Sequence, residues 1–194
     1  LTSPIPGIEA AVVARNLSSQ RKERAEGEAI FGAAPVAIGT DQLSIDQLET
    51  GLIAGKILSY AQGFAMINAA SSDYDWALPL PEIARVWRAG CIIRSSMLDD
   101  MATALTRNPD RNLMQAPAFA DLLKAHHMAL RQIVAVGTLH GIAMPALASS
   151  IAYFDAMRTS RGTANMIQGQ RDYFGRHSFS RLDGGVGCHG PWAE

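Results

Sequence analysis

The sequence predicts an all-α domain, with several helices packed around long central ones and an extended C-terminal tail. Apolar residues recur at three- and four-residue steps along most of the 194-residue chain, which places them on one face of a helix. No stretch alternates convincingly between apolar and polar residues, as a half-buried strand does. Short connections join about six predicted helical segments, so helix-on-helix packing is the expected architecture.

The first predicted helix lies within residues 8–31, where Ile8, Val12 and Arg15 follow a near-helical spacing. The chain enters this segment through prolines, which do not sit inside a helix. Glycine and proline in residues 31–40 then predict a loop or linker.

Two long apolar helices are predicted next. Ser44 and Gln47 have the spacing of a capping box, and a helix over about residues 45–70 follows. Pro81 suits the first turn of a second helix, over residues 81–104. Both segments are apolar around much of their circumference, so we expect central, nearly surrounded helices.

The C-terminal half begins after a polar break at residues 106–112. The clearest helical pattern of the chain covers residues 119–137 and ends near Gly141. A further helix is predicted from Pro145 to about Met157, and another over residues 165–174. The glycine-rich remainder has no period, which predicts an extended tail that packs on something else.

The composition indicates a globular protein of a reducing compartment. Hydrophobic residues make up 48% of the chain, charged residues 18%, and the net charge is -1, so no field of one sign attracts nucleic acid or an anionic membrane. Cys91 and Cys188 lack the spacing of a zinc site or a disulfide framework. No segment resembles a membrane span or a signal peptide. We therefore expect a cytoplasmic protein without a metal, nucleic-acid or membrane partner.

Three arginines in otherwise apolar segments are candidate anion-binding residues, namely Arg15, Arg94 and Arg171. Burial of a guanidinium is costly unless a carboxylate or phosphate pairs with it. Arg171 and His177 bracket a predicted helix terminus and could together hold a phosphate or carboxylate. The alternative for each arginine is a structural ion pair. The candidate acidic partners are Asp99, Asp100 and Asp172.

Several strings of this sequence resemble a known family. They are SYAQGF at residues 59–64, EIARVWRAGCIIRS at 82–95 and ANMIQGQRDYFGRH at 164–177, with ARNLSS upstream and HGPW in the tail. In order and spacing these strings closely resemble the C-terminal all-helical domain of decarboxylating 6-phosphogluconate dehydrogenase. The resemblance covers practically the whole chain.

The resemblance implies an activity that belongs to a longer protein. Members of the family oxidise 6-phosphogluconate to ribulose 5-phosphate and CO2 in the pentose phosphate pathway and reduce NADP, or in some cases NAD. A Rossmann domain binds that cofactor, and a lysine and a glutamate move the protons. All of these lie upstream of what would be Leu1, so we expect this chain to be a fragment with no catalytic residue and no turnover alone.

The resemblance also implies substrate-binding residues and a homodimer. Arg15 matches an arginine that binds the substrate phosphate on its own subunit, whereas Arg171 and His177 match residues that reach the same phosphate from the neighbouring subunit. Residues 1–177 correspond to the substrate-binding and dimerisation domain, and residues 178–194 to a tail that docks on the partner. For Arg94 the resemblance implies no ligand, so a structural ion pair is expected there.

Two departures from the family concern the tail. The chain reads HGPW at residues 189–192 where HTEW is commonest, and Arg176 stands where a small residue is usual. An alternative to the enzyme fragment is a stand-alone helical module that dimerises or binds phosphosugars without chemistry. A second alternative is a domain that keeps only a structural role, a structural relic, in which the arginines pair with acids of the same chain.

Overall fold

The computed structural model describes residues 3–33, 37–89 and 91–192. Within these ranges the regular structure is helical, apart from one isolated β-bridge, so the all-α prediction is confirmed. None of the described helices is both long and apolar enough to span a membrane. The α-helices in these ranges are α1 (Pro6–Ser19), α2 (Arg21–Phe31), α3 (Ile45–Asp73), α4 (Leu80–Arg88), α5 (Met97–Arg107), α6 (Pro117–Leu139), α7 (Pro145–Met157) and α8 (Ala164–Gly175).

Two compact units divide the chain, Leu1–Phe154 and Asp155–Glu194, called here the N-terminal unit and the C-terminal unit. The boundary falls inside α7, so the N-terminal unit holds α1 to α6 and most of α7. The C-terminal unit holds α8 and the segment that follows it. The expected division into residues 1–177 and a partner-docking tail concerns subunit contacts, and it stays a prediction.

Helix α3 is the central element of the N-terminal unit, as the sequence predicts. Its capping box is formed, because the Gln47 N–H donates to Ser44 Oγ (3.1 Å) and the Ser44 N–H donates to Gln47 Oε1 (2.9 Å). These two bonds satisfy backbone donors that have no partner within the helix. The helix packs against α1, α4, α6 and the short 3₁₀ helix Leu113–Gln115. Its fully buried apolar residues are Ala54, Ile57, Leu58 and Ala61.

The contact between α3 and α6 is the most extensive helix pairing in the N-terminal unit. It is close because Gly51 faces the α6 backbone, where a Cβ atom at Gly51 would lie 2.9 Å from the Leu130 nitrogen. Leu123 and Leu130 of α6 are buried in the same core. The helix predicted over residues 119–137 is confirmed and extends from Pro117 to Leu139.

The single helix predicted within residues 8–31 is two helices. Pro6 occupies the first turn of α1, and the chain bends at Gln20, which has φ −82° and ψ 59°. Just before this bend, the hydroxyls of Ser18 and Ser19 donate to the carbonyls of Arg15 and Asn16. Such local side-chain bonds compete with the helical ladder, which the apolar spacing alone does not reveal.

The loop predicted over residues 31–40 is described only in part. Gly32, Ala33 and residues 37–39 are non-helical, as predicted, whereas residues 34–36 lie outside the described residues.

The helix predicted over residues 81–104 is also broken. Helix α4 ends at Arg88 because Ala89 is extended (φ −135°, ψ 135°), and α5 begins only at Met97. The Tyr60 hydroxyl of α3 donates to the Ile93 carbonyl and holds the intervening loop. α4 buries only one side, and Val86 is 70% exposed, so the expectation of a nearly surrounded helix is wrong for this segment.

The turns after α6 and around α7 follow the sequence prediction. Gly141 has a positive φ of 66°, and the Ile142 N–H donates to the Gly137 carbonyl (2.8 Å), which closes the C-terminus of α6. α7 begins at Pro145 and ends at Met157, as expected. Gly162 lies between α7 and α8 and belongs to neither helix.

The segment after α8 folds back on itself within the C-terminal unit. Phe179 and Cys188 form an antiparallel bridge through two backbone hydrogen bonds of 2.9 and 3.0 Å. Gly184 and Gly187 have φ of 94° and 67°, values that glycine adopts without a Cβ penalty. The absence of a sequence period therefore reflects a turn that is closed by backbone bonds.

Candidate phosphate-binding site

Arg15 lies on α1 in the N-terminal unit, and its side chain is exposed. The expectation that this guanidinium is embedded among apolar helices is wrong for the single chain, because Val12, Val13 and Leu17 around it are themselves about half exposed. Among the described residues no carboxylate lies within ion-pair distance of Arg15. Its charge is therefore not neutralised by this part of the chain.

Arg171 and His177 come together in the C-terminal unit, at the end of α8. Both side chains are exposed and border one open depression of about 400 Å³. Arg171 Nη1 donates to Gln168 Oε1 over 3.1 Å, a neutral contact that orients the guanidinium without cancelling its charge. The residues that line the depression are Ile167, Gln170, Arg171, Phe174, Gly175 and His177.

The backbone after α8 brings His177 back towards the helix. Arg176 and Ser178, on either side of His177, both adopt left-handed conformations, with φ of 49° and 59°. The His177 ring then lies against Gly175, where a Cβ atom would come within 2.8 Å of Nε2. Any larger residue at position 175 would therefore displace the His177 ring.

Asp172 has a different role from the one that the sequence predicts. The sequence makes it a candidate ion-pair partner for an arginine, but its fully buried carboxylate accepts four hydrogen bonds from the segment after α8. Oδ1 accepts from the Ser178 N–H (2.8 Å) and His189 Nδ1 (2.6 Å). Oδ2 accepts from the Gly190 N–H (2.8 Å) and Trp192 Nε1 (2.7 Å). The strings QRDYFG and HGPW contain most of these groups, but their spacing does not show that they meet.

The surroundings of Asp172 keep it ionised. Burial by itself would raise the pKa of this carboxyl, but the hydrogen bonds from Gly190, Trp192, His189 and Ser178 outweigh burial and hold the pKa well below its ordinary value. An ionised carboxylate only accepts hydrogen bonds, and here each of its two oxygens has two donors.

The remaining candidate ion pairs differ from the expectation. Arg94 lies in the loop between α4 and α5, is exposed, and forms no ion pair among the described residues. Asp99 pairs with Arg88, Nε to Oδ2 at 2.6 Å. Neither Arg15 nor Arg171 is neutralised by an acid in the described ranges, which argues against a structural relic held by such pairs.

The described residues offer no fit for a metal ion or a dinucleotide. They contain no grouping of histidine, cysteine, aspartate and glutamate that could hold a metal. They also form no parallel sheet, whereas a dinucleotide binds beside the carboxyl ends of parallel strands.

Comparisons with known proteins extend over the whole sequence. The family model for the 6-phosphogluconate dehydrogenase C-terminal domain matches residues 1–192. A decarboxylating 6-phosphogluconate dehydrogenase of Shigella flexneri is 39% identical over 196 aligned residues, which cover 100% of this chain and 42% of the relative. The NADP(+)-dependent decarboxylating enzyme of Bacillus subtilis strain 168 is 37% identical over 98% of this chain and 41% of its own length. The chain thus spans about two fifths of these relatives.

A solved structure agrees with the sequence matches. Plasmodium falciparum 6-phosphogluconate dehydrogenase, which was solved in its apo form, with its cofactor NADP+ and with its substrate 6-phosphogluconate, matches with a TM-score of 0.89 and 35% identity. The match covers 98% of this chain and 42% of that one. Together with the family model, it shows that the chain belongs to the family of 6-phosphogluconate dehydrogenase C-terminal domains.

Proposed function

We propose that this chain binds the phosphate of 6-phosphogluconate and forms the dimer interface of a cytoplasmic, decarboxylating 6-phosphogluconate dehydrogenase of the pentose phosphate pathway. One observation carries the proposal: Arg171 and His177 border the same open depression, and among the described residues neither has an acidic partner. A phosphate dianion provides the negative charge that this pair lacks. Family membership supports the same substrate class.

The three side chains have different tasks in the proposed site. The planar fork of Arg171, oriented by Gln168, donates two parallel hydrogen bonds to phosphate oxygens. His177 donates a third from a ring N–H. Arg15 adds a second guanidinium from the other copy of the chain, so that two cations meet one dianion.

The chemistry itself falls to other parts of the enzyme in this proposal. NADP, or NAD, accepts the hydride from C3 of the substrate, and a lysine and a glutamate transfer protons. These groups belong to the three fifths of the relatives' length that this chain does not span. The present residues bind and orient the substrate, and we expect the chain alone to be inactive.

Calorimetric titration with 6-phosphogluconate tests the phosphate role. A hydrogen bond to a charged group is worth about 1.5–3 kcal/mol, so Arg171→Ala and Arg15→Ala should each weaken binding by about tenfold or more. Arg161→Ala is the matched control, because Arg161 is an exposed arginine of the C-terminal unit outside the depression. If neither Arg15→Ala nor Arg171→Ala changes the affinity, the proposed phosphate role is wrong.

The shared site also predicts complementation between copies. In a homodimer whose sites combine Arg15 of one copy with Arg171 of the other, mixing the two single variants produces heterodimers with one intact site. Random mixing makes half of the dimers mixed, so about a quarter of all sites should recover full affinity. No recovery in a mixture shown to exchange subunits would mean that both arginines act within one copy.

The alternative function is a stand-alone helical module that dimerises or binds phosphosugars without chemistry. The coding sequence upstream of Leu1 separates the two. An in-frame G-x-G-x-x-G followed by a KGTGKW-like string supports the enzyme, and a start codon directly before Leu1 supports the module.

A further inference from the structure

We infer that Asp172 is a positioning residue, whose buried carboxylate fastens the C-terminal segment to α8 and thereby holds His177 beside Arg171. The inference rests on the proposed function in one respect, since it takes Arg171 and His177 to be the phosphate ligands. It adds that the geometry of this pair depends on residues 189–192, although none of these residues lines the depression.

Asp172 directly follows Arg171 on α8, and neighbouring residues of an α-helix point about 100° apart. Arg171 is exposed at the depression, whereas Asp172 is fully buried. One turn of α8 therefore presents a phosphate ligand on one side and an anchoring carboxylate on the other.

Asp172 binds the backbone next to His177. The N–H of Ser178, the residue after His177, donates to Asp172 Oδ1 over 2.8 Å. This bond fixes the chain reversal in which Arg176 and Ser178 both have positive φ. Left-handed conformations are unfavourable for residues with a Cβ atom, so the reversal needs support from outside itself. Asp172 provides it, and the reversal places the His177 ring against Gly175.

The chain end also binds Asp172. His189, Gly190 and Trp192 donate the other three hydrogen bonds to its carboxylate. The Trp192 ring packs edge-to-face on Tyr173 of α8, with ring centroids 5.7 Å apart. Without these donors, a buried carboxylate would keep only the Ser178 bond, and burial of an ionised group with one partner is unfavourable. The chain end thus keeps Asp172 in place for Ser178.

The variant Asp172→Asn tests this arrangement in the whole 194-residue chain. The amide has almost the same shape, but its nitrogen cannot accept, so two of the four N–H donors lose their acceptor. The first measurement is the NMR contact between the His177 ring and the Gly175 α-protons, which needs no ligand. The second is the affinity for 6-phosphogluconate. We expect the contact to vanish and the affinity to fall about tenfold, while α8 retains its helical chemical shifts.

Asp183→Asn is the matched control. Asp183 undergoes the same change of charge in the same unit, but it is exposed and pairs with Arg181 in the turn after Phe179. This variant should keep both the His177–Gly175 contact and the affinity.

A milder variant covers the case in which Asp172→Asn unfolds the C-terminal unit. Trp192→Phe removes only the Nε1–H donor and keeps an aromatic ring against Tyr173. It should weaken the His177–Gly175 contact and the affinity for 6-phosphogluconate less than Asp172→Asn does. A folded Asp172→Asn, or failing that a folded Trp192→Phe, with unchanged contact and affinity would overturn the inference.

The two proposals fail in different ways. If the unchanged chain binds no 6-phosphogluconate, the proposed function fails, and the His177–Gly175 contact still decides the positioning role. If Asp172→Asn only lowers the melting temperature while contact and affinity remain, Asp172 is structural and the proposed function stands.

Discussion

Arg176 ends α8 with a left-handed backbone, at φ 49°. Helices commonly end in this conformation, and glycine is the usual residue there because it has no Cβ atom. The family resemblance marks Arg176 as standing where a small residue is usual. In the structure an arginine at this position bears a conformational cost that glycine would avoid.

Replacement of Arg176 by glycine should stabilise the C-terminal unit. The left-handed conformation costs a residue with a Cβ atom roughly 1–2 kcal/mol, and the greater freedom of glycine in the unfolded chain offsets part of the gain. We expect the free energy of unfolding to rise by about 0.5–1 kcal/mol. Urea denaturation, followed by NMR at the Trp192 indole resonance, measures this free energy. Arg176→Ala keeps the Cβ atom and should bring no gain, and a loss of stability in Arg176→Gly would contradict the explanation.

Tyr60 links α3 to the loop between α4 and α5 through its bond to the Ile93 carbonyl. Burial raises the pKa of Tyr60, and a negative charge on Cys91 raises it further. The folded chain therefore retains the phenolic proton at pH values at which the unfolded chain has lost it. The state that binds more protons loses relative stability as the pH rises.

Stability should accordingly fall as the pH rises above about 10, the ordinary pKa of tyrosine. Tyr60→Phe should make this decline shallower, at the cost of about 1 kcal/mol at neutral pH for the lost hydrogen bond. Urea denaturation at pH 7 and at alkaline pH measures both effects. Burial also raises the pKa of Tyr153, so Tyr60→Phe/Tyr153→Phe should flatten the curve further. An unchanged alkaline decline in the double variant would refute this account.

At the scale of elements, the contact between α3 and α6 organises the core of the N-terminal unit. Gly51 lets the two helices approach, since its missing Cβ atom leaves room for the Leu130 backbone nitrogen and the Ile133 side chain. Gly63 lies on the same helix but faces open space, because a Cβ atom at this position would meet no described atom within 4 Å outside its own helix backbone. The same residue type thus has opposite roles at two positions of α3.

The pair Gly51→Ala and Gly63→Ala tests this difference. At Gly51 a methyl group meets backbone atoms that cannot rotate away, so we expect a loss of about 1–3 kcal/mol in the free energy of unfolding. At Gly63 alanine has only its better helix propensity, which predicts a gain of up to about 1 kcal/mol. Chemical denaturation of both variants shows whether the free energy of unfolding falls or rises in each. Equal effects at the two positions would show that the helices do not pack as described.

At the scale of the whole molecule, many apolar side chains stay exposed in the single chain. On α1 they include Val13 and Leu17, and on α8 they include Ile167 and Phe174, which is 82% exposed. Exposed apolar residues grouped on a helix are typical of interfaces. Each of the two helices carries such residues together with one of the proposed phosphate ligands, Arg15 on α1 and Arg171 on α8.

The proposed homodimer therefore predicts a concentration-dependent mass. Sedimentation equilibrium should find twice the monomer mass of 20.8 kDa at micromolar concentration. Leu17→Asp places a charge among the apolar residues of α1 and should shift the equilibrium towards monomer, because burial of an unpaired carboxylate is costly. Glu9→Asp, a conservative change on the same helix, is the control. A monomer at all concentrations would contradict the dimer.

The sequence predicts most elements of this fold because their causes are local. The capping box at Ser44, the proline starts of α6 and α7, and the glycine after α6 all act within a few residues. The single helices predicted over residues 8–31 and 81–104 are wrong for two different reasons. The first break lies at a polar stretch, residues 18–24, where local serine side-chain bonds compete with the helix. At the second break apolar spacing continues, and the loop there is held by Tyr60 from another helix.

Periodicity and motif strings lie in neighbouring residues, so the helical class, the family and the phosphate candidates Arg15, Arg171 and His177 follow from the sequence. The shared depression of Arg171 and His177, and the bonds of Asp172 to the chain end, appear only in the folded chain. Asp172 and Trp192 are 20 positions apart. A buried carboxylate accepts hydrogen bonds from whichever donors lie beside it in the fold. The spacing of these residues along the chain does not predict the contacts.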